Sequence, residues 1–300
     1  MRIVHVDTGQ RMRGGQWQAL FLHQGLVEAG WDSVLLARPG SPLLREARAR
    51  DLPAECLRLP TLLRLARGAD LIHAHDARAH TLAALTGHPR LIVSRRVGFA
   101  PRASVWSRWK LRKAKRYLAV SQYVRGVLLA AGVEASRVSV VYDGVPLLPP
   151  SSRAGPAIAP AEDDPMKGEG LLREAEAAGG FRVLRSHDLV ADLGAASLMV
   201  YLSRMEGLGS GVLLAMSAAV PVVTSKVGGL TEAVVDGQTG LLVENGAGAI
   251  ADAVNRLTGD RELAARMGEA GRQRILEQFT IEHMVQRTLQ NYEEVLSCRT

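Results

Sequence analysis

The stretch YLSRMEGLGSGVLLAMSAAVPVVTSKVGGLTEAVVDGQTGLLV, from Tyr201 to Val243, reads as strand, glycine loop, helix, strand and glycine turn in succession. Leu198-Met199-Val200-Tyr201-Leu202 is a continuous apolar run, as expected of a parallel strand buried on both faces. Glu206-Gly207-Leu208-Gly209-Ser210-Gly211 breaks that run, and a helix is expected from Val212 to Ala218. Pro221-Val222-Val223-Thr224 is the next strand and Gly228-Gly229 the next turn. A glycine loop feeding a helix N-terminus presents backbone N–H groups and the positive end of a helix dipole. It therefore makes a site for an anion, most often a phosphate.

The same alternation extends outward in both directions. Residues 2–7 form a first strand, and Gly14-Gly15 open a helix that Gly30 ends. Strands follow at 34–37, 70–75, 91–94, 117–120 and 138–142, and Ser121 is placed to cap a helix. This spacing predicts an α/β chain with parallel, doubly wound sheets. A Pro/Ser/Gly/Ala-rich segment, 146–160, reads as a linker. The alternation restarts near Ala157-Ile158, passes through 181–184 and the quoted stretch, and ends in helices over 247–258, 261–279 and 281–296. Three hundred residues suit two domains. The expected divisions are 1–147, 148–281 and a final helical segment, 282–300.

Hydrophobic residues make up 47% of the chain and charged residues 22%, enough for sizeable cores in a soluble protein. No uncharged apolar run reaches the ~18 residues of a membrane span. MRIVHVD reads as a strand and not a signal peptide. Cys56 and Cys298 have neither metal nor disulfide spacing, so a reducing cytoplasm is expected. Charge is uneven. Residues 1–150 hold 23 Lys+Arg against 10 Asp+Glu, and residues 151–300 hold 14 against 20. Between Asp76 and Glu134 there are twelve cationic residues and no acid. Trp106, Trp109, Lys110, Arg112 and Lys113 fall on one basic helix there, whose tryptophan and lysine content suits an anionic membrane surface or an acceptor. No nucleic-acid recognition motif accompanies the charge, so no nucleic-acid partner is expected.

The quoted stretch resembles the donor-binding signature of retaining family 4 glycosyltransferases, S-x-x-E-G-x-G-x-x-x-L-E-A-M-A-x-G-x-P-V-V. ADLIHAHDARAH resembles the family's D-x-x-H-x-H strand end, and YLAVSQYVRGVLLAAGVEASRVSVVYDGV its segment before the interdomain linker. RILEQFTIEHMVQRTLQNYEEVL resembles its closing helices. The resemblance implies two Rossmann-like domains facing a cleft, the glycosyltransferase B type, with a last helix that crosses back to the first domain. It implies a metal-independent hexosyl transfer that retains anomeric configuration and needs no cofactor. The donor would be a UDP- or GDP-linked sugar, and the acceptor an envelope glycan or a lipid-linked glycan. A cytoplasmic enzyme, peripheral on the membrane's inner face, fits these expectations.

Carried over residue by residue, the resemblance makes Glu206 the acid beside the donor sugar. The family's second acid falls at position 214, where Leu214 stands instead. Lys167 matches the lysine of P-x-K-G that meets the donor pyrophosphate. In this chain that motif is fused to Gly168-Glu169-Gly170-Leu171-Leu172-Arg173-Glu174, as if the second domain lacked one βα unit. The diphosphate is expected among Gly14-Gly15, Lys167 and Gly209-Ser210-Gly211. His75, Arg95 and Arg96 are further expected donor or acceptor contacts. His73, His75 and His80 lack the Cys or Glu that would complete a zinc set, so no metal is expected. A degenerate, non-catalytic relative that binds a nucleotide sugar or a partner is the alternative.

Overall fold

The computed structural model describes residues 1–161 and 164–297, so Cys298 lies outside the described residues. The chain forms two compact units. One holds Met1–Asp143 and the closing helix Ile281–Ser297, and the other Gly144–Thr280. Among the described residues no helix is long and apolar enough to cross a membrane.

The first unit is built on seven parallel strands: β1 (Arg2–Asp7), β2 (Asp32–Ala37), β3 (Ala54–Cys56), β4 (Leu71–Ala74), β5 (Leu91–Arg95), β6 (Arg116–Ala119) and β7 (Val138–Val140), in the order β3-β2-β1-β4-β5-β6-β7. Parallel neighbours need crossovers, and helices such as Gly14–Glu28 and Ala77–Leu85 supply them. Strand β3 and the helix Leu59–Gly68 add to the expected elements. A three-residue edge strand carries no apolar run long enough to announce it.

Register decides what shares a face. Ile3 pairs with Leu71, His5 with His73, and His73 with Ile92. Side chains alternate with period 2, so Ile3, His5, Leu71, His73, Ile92 and Ser94 point the same way. Leu22 and Leu26 of the opening helix, and Met284, Tyr292 and Val295 of the closing helix, cover this face.

The second unit has five parallel strands: β8 (Ala157–Pro160), β9 (Leu184–Ser186), β10 (Leu198–Tyr201), β11 (Val222–Ser225) and β12 (Leu241–Val243), in the order β12-β11-β10-β8-β9. Its core joins Leu198, Val200 and Val223 to Leu172, Ile250, Val254 and Leu257. The alternation restarts at Ala157–Pro160, where it was expected, so the linker is shorter than 146–160, and one strand is displaced. Ala157, Ile158 and Ala159 are buried beside β10, and Pro160 stands at the strand end, where it does least harm. The strand expected over 181–184 lies at Leu184–Ser186. Arg185 pairs there with Glu169 at 3.1 Å and Glu176 at 2.7 Å, so an ion-pair network and not an apolar run marks this edge strand.

Candidate functional site

The expected anion loop lies at the C-terminal end of β10, the central strand of the second sheet. Open α/β sheets place ligands at such strand ends. The helix runs Ser210–Ser217, and Gly209 before it holds the left-handed conformation at φ 92°, which suits glycine. The first intrahelical bond of the i−4 type is Leu213 N–H to the Gly209 carbonyl at 3.1 Å. The N–H groups at Ser210 and Gly211 thus belong to the open first turn.

Three side chains meet beside this loop: a Cβ on Gly211 would stand 3.2 Å from the Tyr201 ring, and one on Gly209 would stand 3.7 Å from Glu206 Cγ. Lys167, at the end of the short turn Pro165–Lys167, donates to Glu206 Oε2 at 2.6 Å and to Tyr201 Oη at 3.1 Å. The Tyr201 hydroxyl donates to the same Glu206 oxygen at 2.8 Å. The lysine turn is tied down because the Met166 carbonyl accepts from Arg204 N–H at 2.9 Å and Ser203 Oγ at 3.3 Å. Burial works against the Lys167 ammonium, but Tyr201 and Glu206 outweigh it and hold the lysine protonated, above its usual range. Burial, and then Glu206, push the Tyr201 hydroxyl well above the ordinary phenol range, so it remains a neutral donor. The structure therefore brings together Lys167 and Glu206, which lie 39 residues apart in sequence. The sequence marks Tyr201 only as strand, and its place at the strand end is the one signal it offers.

A backbone crossing fixes the loop. Gly229 N–H donates to the Glu206 carbonyl at 3.1 Å, and a Cβ at Gly229 would stand 1.9 Å from the Gly207 carbonyl oxygen. Gly229→Ala should therefore cost about 1–3 kcal/mol or more, since the chains must part. Gly248→Ala meets nothing within 4 Å inside its helix and should be neutral or stabilising by up to ~1 kcal/mol. Denaturant midpoints of the two variants moving in opposite directions check this.

Leu214 lies on the helix Ser210–Ser217 and is partly exposed. In the first unit, Gly14 and Gly15 open the helix Gly14–Glu28 after Arg13, whose carbonyl accepts from Gln16 and Trp17 N–H at 3.0 and 3.1 Å. The Arg96 side chain approaches Gly15. It is held by Asp143, with Nε to Oδ1 at 2.8 Å, and is only 13% exposed. Arg95 instead donates to the Phe99 carbonyl and lies over the Phe99 ring.

His75, an expected donor or acceptor contact, is buried at the end of β4. It belongs to a cluster that spacing alone did not assemble. His5 Nδ1 and His75 Nε2 share a hydrogen bond of 2.8 Å. His73 bonds Tyr292 Oη at 2.6 Å and Ser94 Oγ at 2.9 Å, and His23 bonds Ser33 Oγ at 2.7 Å. His80, grouped by sequence with His73 and His75, points elsewhere and bonds the Lys110 carbonyl. One nitrogen each of His5, His73 and His75 lie within 4.8 Å of one another, which is compatible with a metal. However, both His73 nitrogens are engaged, and the Arg96 guanidinium stands 3.4 Å from His75 Nδ1, where it opposes a cation. The arrangement suits neutral imidazoles. Burial drives the pKa values of His5, His73 and His75 well down, and that of His23 to about 4. Burial, and then Asp76, raise Asp7 to about 6. Register is the signal that joins His5 to His73, and a motif read along one segment does not contain it.

Residues 12–147 match the family model Glycosyltransferase Family 4, and residues 177–274 match Glycosyl transferases group 1. Over 120 residues the chain is 41% identical to alpha-maltose-1-phosphate synthase of Mycolicibacterium smegmatis, which covers 38% of this chain and 31% of that protein. Over 115 residues it is 40% identical to N-acetyl-alpha-D-glucosaminyl L-malate synthase of Bacillus anthracis, covering 38% and 30%. The match thus spans about a third of the length of these relatives. The fold is shared with Anabaena HepE, solved in complex with UDP and glucose, at a TM-score of 0.88 and 17% identity over 98% of this chain and 99% of that one. Two glycosyltransferase models thus match successive parts of the chain, and its fold is of the glycosyltransferase B type.

Proposed function

We propose that this chain is a metal-independent, retaining glycosyltransferase that takes a sugar from a nucleotide-diphosphate donor, UDP- or GDP-linked, and passes it to an envelope glycan or lipid-linked acceptor. The observation that carries this reading is the Lys167–Glu206–Tyr201 network, with Tyr201 and Glu206 beside the loop that opens the helix at Ser210-Gly211. A departing diphosphate needs preorganised N–H donors and a cation, and this site offers both without a metal. Glu206 keeps Lys167 charged and aimed until the donor arrives. It then stands beside the sugar as the phosphate leaves. The similarity to two synthases supports the catalytic reading over the non-catalytic one. The UDP in the HepE structure makes uridine donors the first to test. Capsular polysaccharide glycosyltransferase CapM of Staphylococcus aureus, 35% identical over 85 residues, supports an envelope acceptor.

The experiment is a panel of UDP- and GDP-sugars, with and without a chelator, scored for nucleotide release and product anomer. An inverted product, chelator-sensitive turnover or no turnover with any donor would each refute part of the proposal. One variant probes the donor pose. If the ribose lies along the helix at Leu214, then Leu214→Glu adds a charge-assisted hydrogen bond worth about 1.5–3 kcal/mol. The donor KM should then fall by roughly tenfold or more. An unchanged KM would place the ribose elsewhere.

A further inference from the structure

The basic helix Val105–Lys113 is turned inside out relative to an ordinary surface helix. None of its residues is buried, and Val105 and Trp106 are 72% and 75% exposed. At 3.6 residues per turn, Val105, Trp109, Lys113 and Trp106 fall in one arc with Arg112 and Arg108 along one edge and Lys110 along the other, while Ser107 and Leu111 fall opposite. Polar bonds on the inner side hold the helix. His80 bonds the Lys110 carbonyl at 3.1 Å, Lys110 Nζ donates to the Ala77 carbonyl at 3.1 Å, and the Tyr117 hydroxyl donates to the Leu111 carbonyl at 3.0 Å. Arg137 donates to the carbonyls of Leu111, Arg112 and Ala114. The outward apolar side chains therefore do little to fasten the helix. They pack on one another: the Trp106 ring meets Trp109 edge-on with centroids 5.9 Å apart, and Lys113 lies 5.8 Å over Trp109. Phe99, in the segment leading into the helix, is 59% exposed.

We infer that this face docks on an anionic lipid surface, with Trp106, Val105 and Phe99 entering the interface and Arg108, Arg112 and Lys113 meeting the phosphates. Charge complementarity selects the occupant, because Asp76 to Glu134 is a span of twelve cations with no acid between them. A bilayer interface satisfies both halves of the face at once, since aromatic rings and aliphatic stems sit at headgroup depth while cations face the lipid charge. A nucleic-acid strand would use the cations but leave Val105 in water. The convex helix also lacks the groove in which bases stack on aromatic rings. The inference goes beyond the transferase reading and does not depend on it.

The test is flotation of the whole protein with phosphatidylcholine vesicles, with and without phosphatidylglycerol. The wild-type protein is expected to float with the mixed vesicles and not with phosphatidylcholine alone. Trp106→Ala should cut the bound fraction about tenfold, because an interfacial aromatic is lost. Its melting point should stay unchanged, since the ring is exposed. Trp106→Phe should retain binding, and Arg108→Gln with Arg112→Gln should abolish it. No partition into the anionic vesicles, equal partition of Trp106→Ala, or tighter binding to an RNA or DNA oligonucleotide than to the vesicles would each overturn the assignment.

Discussion

Glu206→Ala should lower turnover by roughly 100- to 1,000-fold, the usual loss when one preorganised electrostatic element is removed from a charge-separating step. Glu206 Oε2 receives both the Lys167 ammonium and the Tyr201 hydroxyl. On the proposed reading its removal deprives the donor sugar of a carboxylate, and it frees the lysine to swing. The same substitution should destabilise the second unit. The Lys167 and Glu206 side chains are 25% and 15% exposed. Breaking one partner of a fully buried pair costs about 3–5 kcal/mol, and partial exposure brings this to about 1–3. The two effects separate in a double variant. Lys167→Met with Glu206→Ala removes the unpaired charge and should recover much of the lost melting temperature, while turnover stays lost. Steady-state kinetics and thermal melts on the three proteins decide the matter. Turnover within a few-fold of wild type in Glu206→Ala would remove Glu206 from the chemistry.

The first unit should lose stability steeply as pH falls below about 6.5. Burial holds His5, His73 and His75 neutral, with His23 at about 4 and His80 at about 3. A histidine whose folded pKa is depressed contributes stability that is present above its unfolded value. That stability is lost as pH falls toward the folded value, because the unfolded chain gains the proton first. Each such group costs up to about 1.4 kcal/mol per pH unit over that window. Asp7 works the other way. Its folded value of about 6 lies above its unfolded one, so it takes up a proton on folding between pH 6 and about 4 and offsets one histidine. Arg96 adds to the burden by repelling any charge on His75 or His73. Glu169 and Glu176 in the second unit have lowered values, so their contribution is lost only as pH falls below the ordinary carboxylate range. Hydrogen exchange at pH 7.5 and 5.0 should therefore show opening of β1 and β4 well before the second sheet. Equal protection of β1 and β4 at both pH values would show that the cluster is not held neutral.

Much of this protein was decided locally. The βα alternation follows from apolar runs punctuated by glycine, and those signals act within a few residues. The cap at Ser121 and the helix stop at Gly30 belong to the same class, because a cap is closed by near neighbours, whereas the loop at Glu206–Gly211 is marked locally by its glycines and fixed by the distant Gly229. The pairing of Lys167 with Glu206 was legible only in part, since each was marked by its own motif while their contact was not. Other features were settled by tertiary structure. Strands β3 and β9 sit at sheet edges, where pairing on one side and a charged network replace the apolar run. His5 joins His73 because parallel register sets them abreast, and Tyr292 reaches His73 across 219 residues. The outward tryptophan of the basic helix is set by polar tethers to His80, Tyr117 and Arg137 on its other side. Composition and periodicity describe what a segment prefers. Which side chains meet is fixed by register and packing between segments distant in sequence, so the contacts at the candidate site arise only in the folded chain.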